Sequence, residues 1–238
     1  MDAKTIITEA RKSGRKALDE AAGKALLAHY GVAVPKTAVV AGPEGVDAAL
    51  KGIKLPVVVK VVSADILHKS DAGGVRVNLN SADDVRAAVR AMAALPKIAS
   101  ARVEGWLIEE MAPAGHEMVV GRLRDPQFGP LIMVGLGGIF VEVLKDVSFR
   151  ICPITRLDAE EMIGELKGVA VLEGARGRKP ASREAIVDAL LKIGGEDGLL
   201  MTHAEDLSEV DVNPLIVSET GAVAVDARFV LYGDEVTR

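Results

Sequence analysis

The stretch that most limits the fold is Pro56–Arg76, PVVVKVVSADILHKSDAGGVR. Val57, Val58, Val59, Val61 and Val62 form a β-branched run, which predicts a strand buried on both faces. Lys60 lies inside that run, where desolvation disfavours an ammonium unless a fixed anion meets it. A polar segment follows with Asp65, His68, Lys69, Ser70 and Asp71, and it ends in Gly73-Gly74. Paired glycines let backbone N–H groups approach an anion closely. Two readings are open for these residues: a segment that handles phosphate, or a strand lysine snorkelling to the surface ahead of an ordinary turn.

The chain has 238 residues, enough for one domain or two closely joined subdomains. A net charge of −5 and 3% aromatic residues leave no basic field and little stacking surface for nucleic acid. The same charge gives no attraction to an acidic membrane. Cys152 is the sole cysteine, which excludes an intrachain disulfide and a thiolate metal cluster. The start, MDAKTIITEARK, is charged throughout and has no signal-peptide core. The least polar stretch, Pro126–Val141, is broken by Pro130, Gly135, Gly137 and Gly138 and falls short of a membrane span. A cytoplasmic protein is expected.

Periodicity predicts a helix over about 8–30, a strand over Thr37–Val40, a helix from Gly42-Pro43 to about Gly52, and the Lys60 strand. A return strand over Arg76–Leu79 and a helix capped by Ser81 complete this α-plus-β block. A strand-rich block follows, with strands at Gly105–Met111, Glu117–Leu123, Leu131–Val134 and Phe140–Leu144. Thr155 and Ser182 each precede a helix. A hairpin of Glu209–Val217 and Ala222–Leu231, joined at Thr220-Gly221, ends the pattern. The fold class is α+β, with two subdomains around a cleft.

Neither a P-loop nor a G-x-G-x-x-G signature is present; Phe140 stands where the last glycine of the latter belongs. Asp211 and Asn213 alternate on one strand and Asp226 lies on the next, so a hairpin brings three oxygen-bearing side chains together. Mg²⁺ prefers such a sparse set of hard oxygens, and no basic residue is expected opposite them. The other reading makes them rim residues of a hairpin. Glu109-Glu110-Met111 lies at the boundary between the blocks and could offer backbone groups to an adenine edge, while Glu117 could accept ribose hydroxyls. Adjacent glutamates also fit a solvated face. His29, His116 and His203 read as structural or surface residues. His68 differs, because imidazole is nucleophilic near neutral pH and a nearby carboxylate can hold its tautomer. Arg76 and Arg150 are candidate clamps for a phosphoryl or carboxylate group, and Cys152 reads as core.

Taken together, LIEEM, GPLIMVGLGGIFVEVLKDVSFR, ILHKSDAGGV and DVNPL resemble the ATP-grasp β subunit of ADP-forming acetyl-CoA synthetases, over roughly Leu18–Leu231. The resemblance implies an ATP-grasp fold: two α+β subdomains enclosing a nucleotide cleft. They would span about 24–106 and about 107–238, with the N-terminal helix packing on the second. It implies ATP/ADP and Mg²⁺ as ligands. Lys60 would contact the phosphates, Glu109, Glu110 and Met111 would line the adenine, and Glu117 would hold the ribose. Gly137 and Gly138 would border the transferred phosphoryl group. Asn213 and Asp226 would hold the metal with Asp211 nearby, and His68 would be a phosphohistidine on a mobile loop. A CoA-binding α subunit would complete a heterotetrameric ligase. Two alternatives accompany this reading: a regulatory or scaffold domain related to that of fused lysine acetyltransferases, and another ATP-grasp carboxylate ligase that needs no phosphohistidine.

Overall fold

Asp2 and Asp19 open the first two helices, each accepting a backbone N–H from three residues on, those of Thr5 and Ala22. They start α1 (Ala3–Lys12) and α2 (Glu20–His29), where periodicity predicted a single helix over 8–30. Gly14, at φ +70°, turns the chain out of α1. Leu18 N–H then donates to the Phe229 carbonyl and Lys16 accepts from Leu231 N–H, so the linker runs along a sheet edge instead of continuing the helix. The structure, a computed structural model, describes residues 2–66, 68–125, 127–175 and 179–233. Pro35–Ala112 forms one compact unit, and Met1–Val34 with Pro113–Arg238 the other.

The Pro35–Ala112 unit contains β1 (Thr37–Val40), α3 (Val46–Ala49), β2 (Val57–Val62), β3 (Val75–Leu79), α4 (Ala82–Ala93), α5 (Pro96–Ala99) and β4 (Gly105–Glu110). Its antiparallel sheet has the order β1-β4-β2-β3. Val57, Val59 and Val61 share a core with Trp106, Ile108 and the inner face of α4. Alternation sends Val58, Lys60, Leu107 and Glu109 to the opposite face, and these four are buried as well. The valine run is thus buried on both faces. Ser81 caps α4 by accepting the Asp84 N–H.

The other unit adds β5 (His116–Asp125), β6 (Gly129–Leu136), α6 (Ile139–Glu142), β7 (Val147–Ile151), α7 (Arg156–Gly164), α8 (Val169–Leu172), α9 (Arg183–Gly194), α10 (Leu199–Thr202), β8 (Leu207–Val217), β9 (Ala222–Ala224) and β10 (Ala227–Leu231). Its sheet runs β10-β8-β5-β6-β7, with β9 also paired to β8. Met118, Val120, Ile132, Val134 and Phe229 point to a core shared with α2, α7 and α9. Leu123, Leu131 and Ile151 lie side by side on the opposite face, and Leu123 and Ile151 are exposed.

Two predicted elements differ. The Phe140–Leu144 strand is replaced by the turn of α6, and the strand comes later, as β7. Ile139, Val143 and Leu144 are exposed, so the apolar run there marks no buried strand. Lys145, at φ +49°, then redirects the chain, and the buried Asp146 carboxylate accepts the Lys167 and Gly168 N–H groups at 2.7 and 2.8 Å. The second arm of the C-terminal hairpin is also interrupted, breaking at Val225-Asp226 into β9 and β10. The register of β5 against β8 shifts at the same level: Met118 faces Leu215, but Val120 faces Val212. Asn213-Pro214 is therefore a bulge, and it inverts the alternation of β8. Val210 and Val212 point inward before it, and Leu215 and Val217 after it. Among the described residues, no helix is long and apolar enough to cross a membrane.

Candidate functional site

In the Pro35–Ala112 unit, β4 runs between β1 and β2. Val58 faces Glu109 and Lys60 faces Leu107, so Lys60 and Glu109 are diagonal neighbours on one face. Lys60 Nζ lies 3.1 Å from Glu109 Oε1, with side chains 8% and 0% exposed. The lysine does not snorkel; the fixed anion it needs is supplied by the next strand. The central position of β4 also limits the following residues. Glu110 N–H donates to the Lys36 carbonyl at 3.0 Å and Met111 N–H to the Pro56 carbonyl at 3.2 Å. The expectation of available N–H groups at 110 and 111 is therefore not met. Glu110 Oε1 accepts the Lys54 N–H.

The segment after β2 folds into a turn closed by its own backbone. Ala72, Gly73 and Gly74 N–H groups donate to the carbonyls of His68, Ser70 and Lys69 at 3.2, 3.0 and 2.7 Å. Gly73 adopts φ +72°, and a Cβ on Gly74 would lie 2.5 Å from Val61 Cγ1, so both positions require glycine. Arg76 braces the turn through the Gly73 and Val75 carbonyls, in place of the clamp role suggested by sequence. His68 is exposed. Among the described residues no carboxylate of the segment bonds its ring; Asp65 instead accepts the Arg102 N–H at 2.8 Å.

In the other unit, Glu117 on β5 and Gly137 after β6 are adjacent. Gly137 N–H donates to the Glu117 carbonyl at 2.7 Å, and a Cβ on Gly137 would stand 2.8 Å from Glu117 Cβ. The exposed Glu117 side chain thus borders the Gly137-Gly138 loop.

On β8, the Asn213-Pro214 bulge meets the break between β9 and β10. Asn213 N–H donates to the Asp226 carbonyl at 3.0 Å, and Val225 N–H to that of Pro214. This pairing brings Asp226 beside the strand that carries Asp211 and Asn213. The Asp211 carboxyl is raised above its ordinary pKa, first by burial and then by the charges of Glu209 and Asp226. Contrary to the sequence expectation, a basic residue does stand opposite: Arg228 faces Asp211 across the strands, but its Nη1 bonds Glu209 at 3.3 Å. Its lowering effect on Asp211 is the smallest of the four influences. Two carboxylates and an amide with excess negative charge are a donor set that fits Mg²⁺. Among the described residues, no group of three or more His, Cys, Asp or Glu side chains is arranged to hold a metal, so any such site depends on Asn213 and outside ligands.

Arg150 is not an available clamp, since its guanidinium holds Glu165 at 2.5 and 3.0 Å and Glu161 at 3.4 Å. That pairing, with Ser148, lowers the Glu165 pKa to about 2. Burial raises the Cys152 thiol to about 11, which suits a core residue. His116 and His203 are buried, bonded to the Lys179 carbonyl and to Asp206.

The sequence matches the ATP-grasp domain family over residues 9–231. It is 44% identical over 227 residues to the beta subunit of acetate–CoA ligase [ADP-forming] I from Pyrococcus furiosus, covering 94% of this chain and 96% of that one. It is also 44% identical to acetate–CoA ligase [ADP-forming] I from Archaeoglobus fulgidus, where it covers 98% of this chain but spans only 33% of the relative. Among solved structures, ACD1 of Ca. Korarchaeum cryptofilum in complex with coenzyme A superposes with a TM-score of 0.90 at 42% identity, covering 97% of this chain and 100% of the other. Dinucleotide forming acetyl-coenzyme A synthetase 1 of the same organism, in complex with coenzyme A and Mg-AMPPCP and with its phosphohistidine segment pointing towards the nucleotide binding site, gives 0.84 at 41%, with the same coverage. The chain belongs to the ATP-grasp family and, within it, to the beta subunits of ADP-forming acetate–CoA ligases.

Proposed function

We propose that this chain exchanges a phosphoryl group between ATP/ADP and His68, as the nucleotide-binding half of a carboxylate–CoA ligase. The overall reaction is acyl-CoA + ADP + phosphate ⇌ carboxylate + CoA + ATP. In the ATP-consuming, right-to-left direction, a ring nitrogen of His68 attacks the γ-phosphorus, a P–N bond forms, the bond to the β-phosphate oxygen breaks and ADP departs. Such transfer relies on alignment and charge neutralisation. Lys60 contacts the phosphates, and the Glu109–Met111 segment lines the adenine, with carbonyl groups rather than the engaged 110 and 111 N–H groups reading its edge. Glu117 holds the ribose, and Gly137 and Gly138 border the transferred group. Asp211, Asn213 and Asp226 hold Mg²⁺, which when bound neutralises charge on the phosphates. A CoA-binding α subunit, in a heterotetramer, receives the phosphoryl group.

The observation that carries this reading is the exposed His68 on a self-closed turn directly after the strand of Lys60. Incubation with γ-labelled ATP tests it. The wild-type chain acquires an acid-labile, base-stable label, and His68→Ala does not, while still binding Mg·ATP. Label persisting in that variant would refute the assignment; acyl phosphate formation without a labelled chain would favour an ATP-grasp ligase that works without phosphohistidine.

A further inference from the structure

We infer that the Glu109 side chain is a positioning residue for Lys60 and thereby sets affinity for the nucleotide's phosphates, although its strand lies against the base. This rests on the reading of Lys60 as a phosphate contact. The family resemblance implies that Glu109 lines the adenine as part of the Glu109–Met111 segment, but the register turns its carboxylate along the sheet face to the Lys60 ammonium, 3.1 Å away. Both side chains leave the centre of a four-stranded sheet, from β2 and β4, whose backbones are paired on each edge. An ammonium on a flexible four-carbon stem has many rotamers in solution. Here burial and the 3.1 Å ion pair with the Glu109 carboxylate narrow that range.

One strand therefore carries two functions on successive residues. The Glu109 side chain aims the phosphate-binding cation, while the backbone of Glu110 and Met111, fixed by Lys36 and Pro56, is the part next to the base. A ligand with phosphates depends on both; a ligand without them depends on the second alone. This separates positioning from general support of the strand, because mere distortion of β4 would weaken both ligands.

The test is calorimetric binding of Mg·ADP and of adenosine to the full chain carrying Glu109→Gln, Lys60→Met, or both. Glu109→Gln removes the charge of the ion pair and is expected to weaken Mg·ADP about tenfold and to leave adenosine unchanged. In the Lys60→Met background the same change is expected to add no further loss, because its effect passes through Lys60. If Glu109→Gln leaves Mg·ADP affinity intact while Lys60→Met loses it, this inference fails and the phosphate reading stands. If Lys60→Met also leaves affinity intact, the phosphate reading fails first. Equal weakening of both ligands by Glu109→Gln, or full additivity in the double variant, makes the role structural and overturns the inference. Should the amide variant not fold, Glu109→Asp carries the same comparison, with a loss for Mg·ADP alone expected.

Discussion

Lys60 and Asp211 are both charged side chains set in valine-rich strands, one in each unit, yet their surroundings treat them oppositely. Lys60 is matched by a carboxylate from the adjacent strand. Asp211 meets two further acids, and the one arginine opposite it is bonded to Glu209. The first charge is compensated within the protein, whereas the second group retains an excess of negative charge that a cation would relieve. A strand can thus set a charge beside an opposite one or among like ones, and the register decides which.

The largest expected effect comes from breaking the compensated pair. Lys60→Met takes the ammonium from the buried Glu109 carboxylate and should destabilise the chain by about 3–5 kcal/mol, read from urea unfolding. Lys60→Met with Glu109→Leu should recover most of that stability, since two apolar side chains replace the pair. A double variant as unstable as the single one would show that the pair is not the source of the loss.

Asp211→Asn should act in the opposite direction. The folded pKa of Asp211 is raised, so the folded chain binds its proton more tightly than the unfolded one. Stability is then lost as pH rises from the ordinary Asp value through the folded one. Removing the charge should raise the metal-free Tm at pH 7 by about 1–3 °C, measured by calorimetry. Under the proposed metal role, Mg²⁺ with ADP should raise the Tm of the wild type, and the same variant should lose that increase. A lower Tm without metal would contradict the uncompensated-charge account.

The smallest effect belongs to a pair outside both valine-rich strands, Arg150 on β7 with Glu165 at the end of α7. The Glu165 pKa is depressed to about 2, so its contribution is present above the unfolded value of about 4.3 and fades as pH falls towards 2. Glu165→Gln should narrow the difference in urea midpoint between neutral and acid solution. An unchanged difference would mean that this exposed pair contributes nothing measurable.

Much of the scaffold was legible because its signals are local. Ser81, Thr155 and Ser182 announce their helices through capping, and the valine run announces β2 through composition. The failures came from pairing. The linker at Ala17 joins Val230, far along the chain, and no helical periodicity encodes that. Phe140 and Val141 look like a strand, but Gly138, at φ +61°, and the bond from Glu142 N–H to its carbonyl start a helical turn there. The partnership of Lys60 with Glu109 had a visible clue, opposite charges in two apolar strand segments, VVVKVV and WLIEE. What sequence could not supply was the register that makes them diagonal neighbours. The same limit hid Arg228 opposite Asp211.

The turn from His68 to Gly74 is knotted by its own backbone and joined to the sheet where the Gly74 carbonyl accepts the Val61 N–H. A knot of that kind presets the angle of the imidazole, and under the proposed transfer its reach would be governed by the stems on either side. Lengthening those stems should alter phosphoryl delivery more than a substitution at Ser70, Asp71 or Ala72 within the knot.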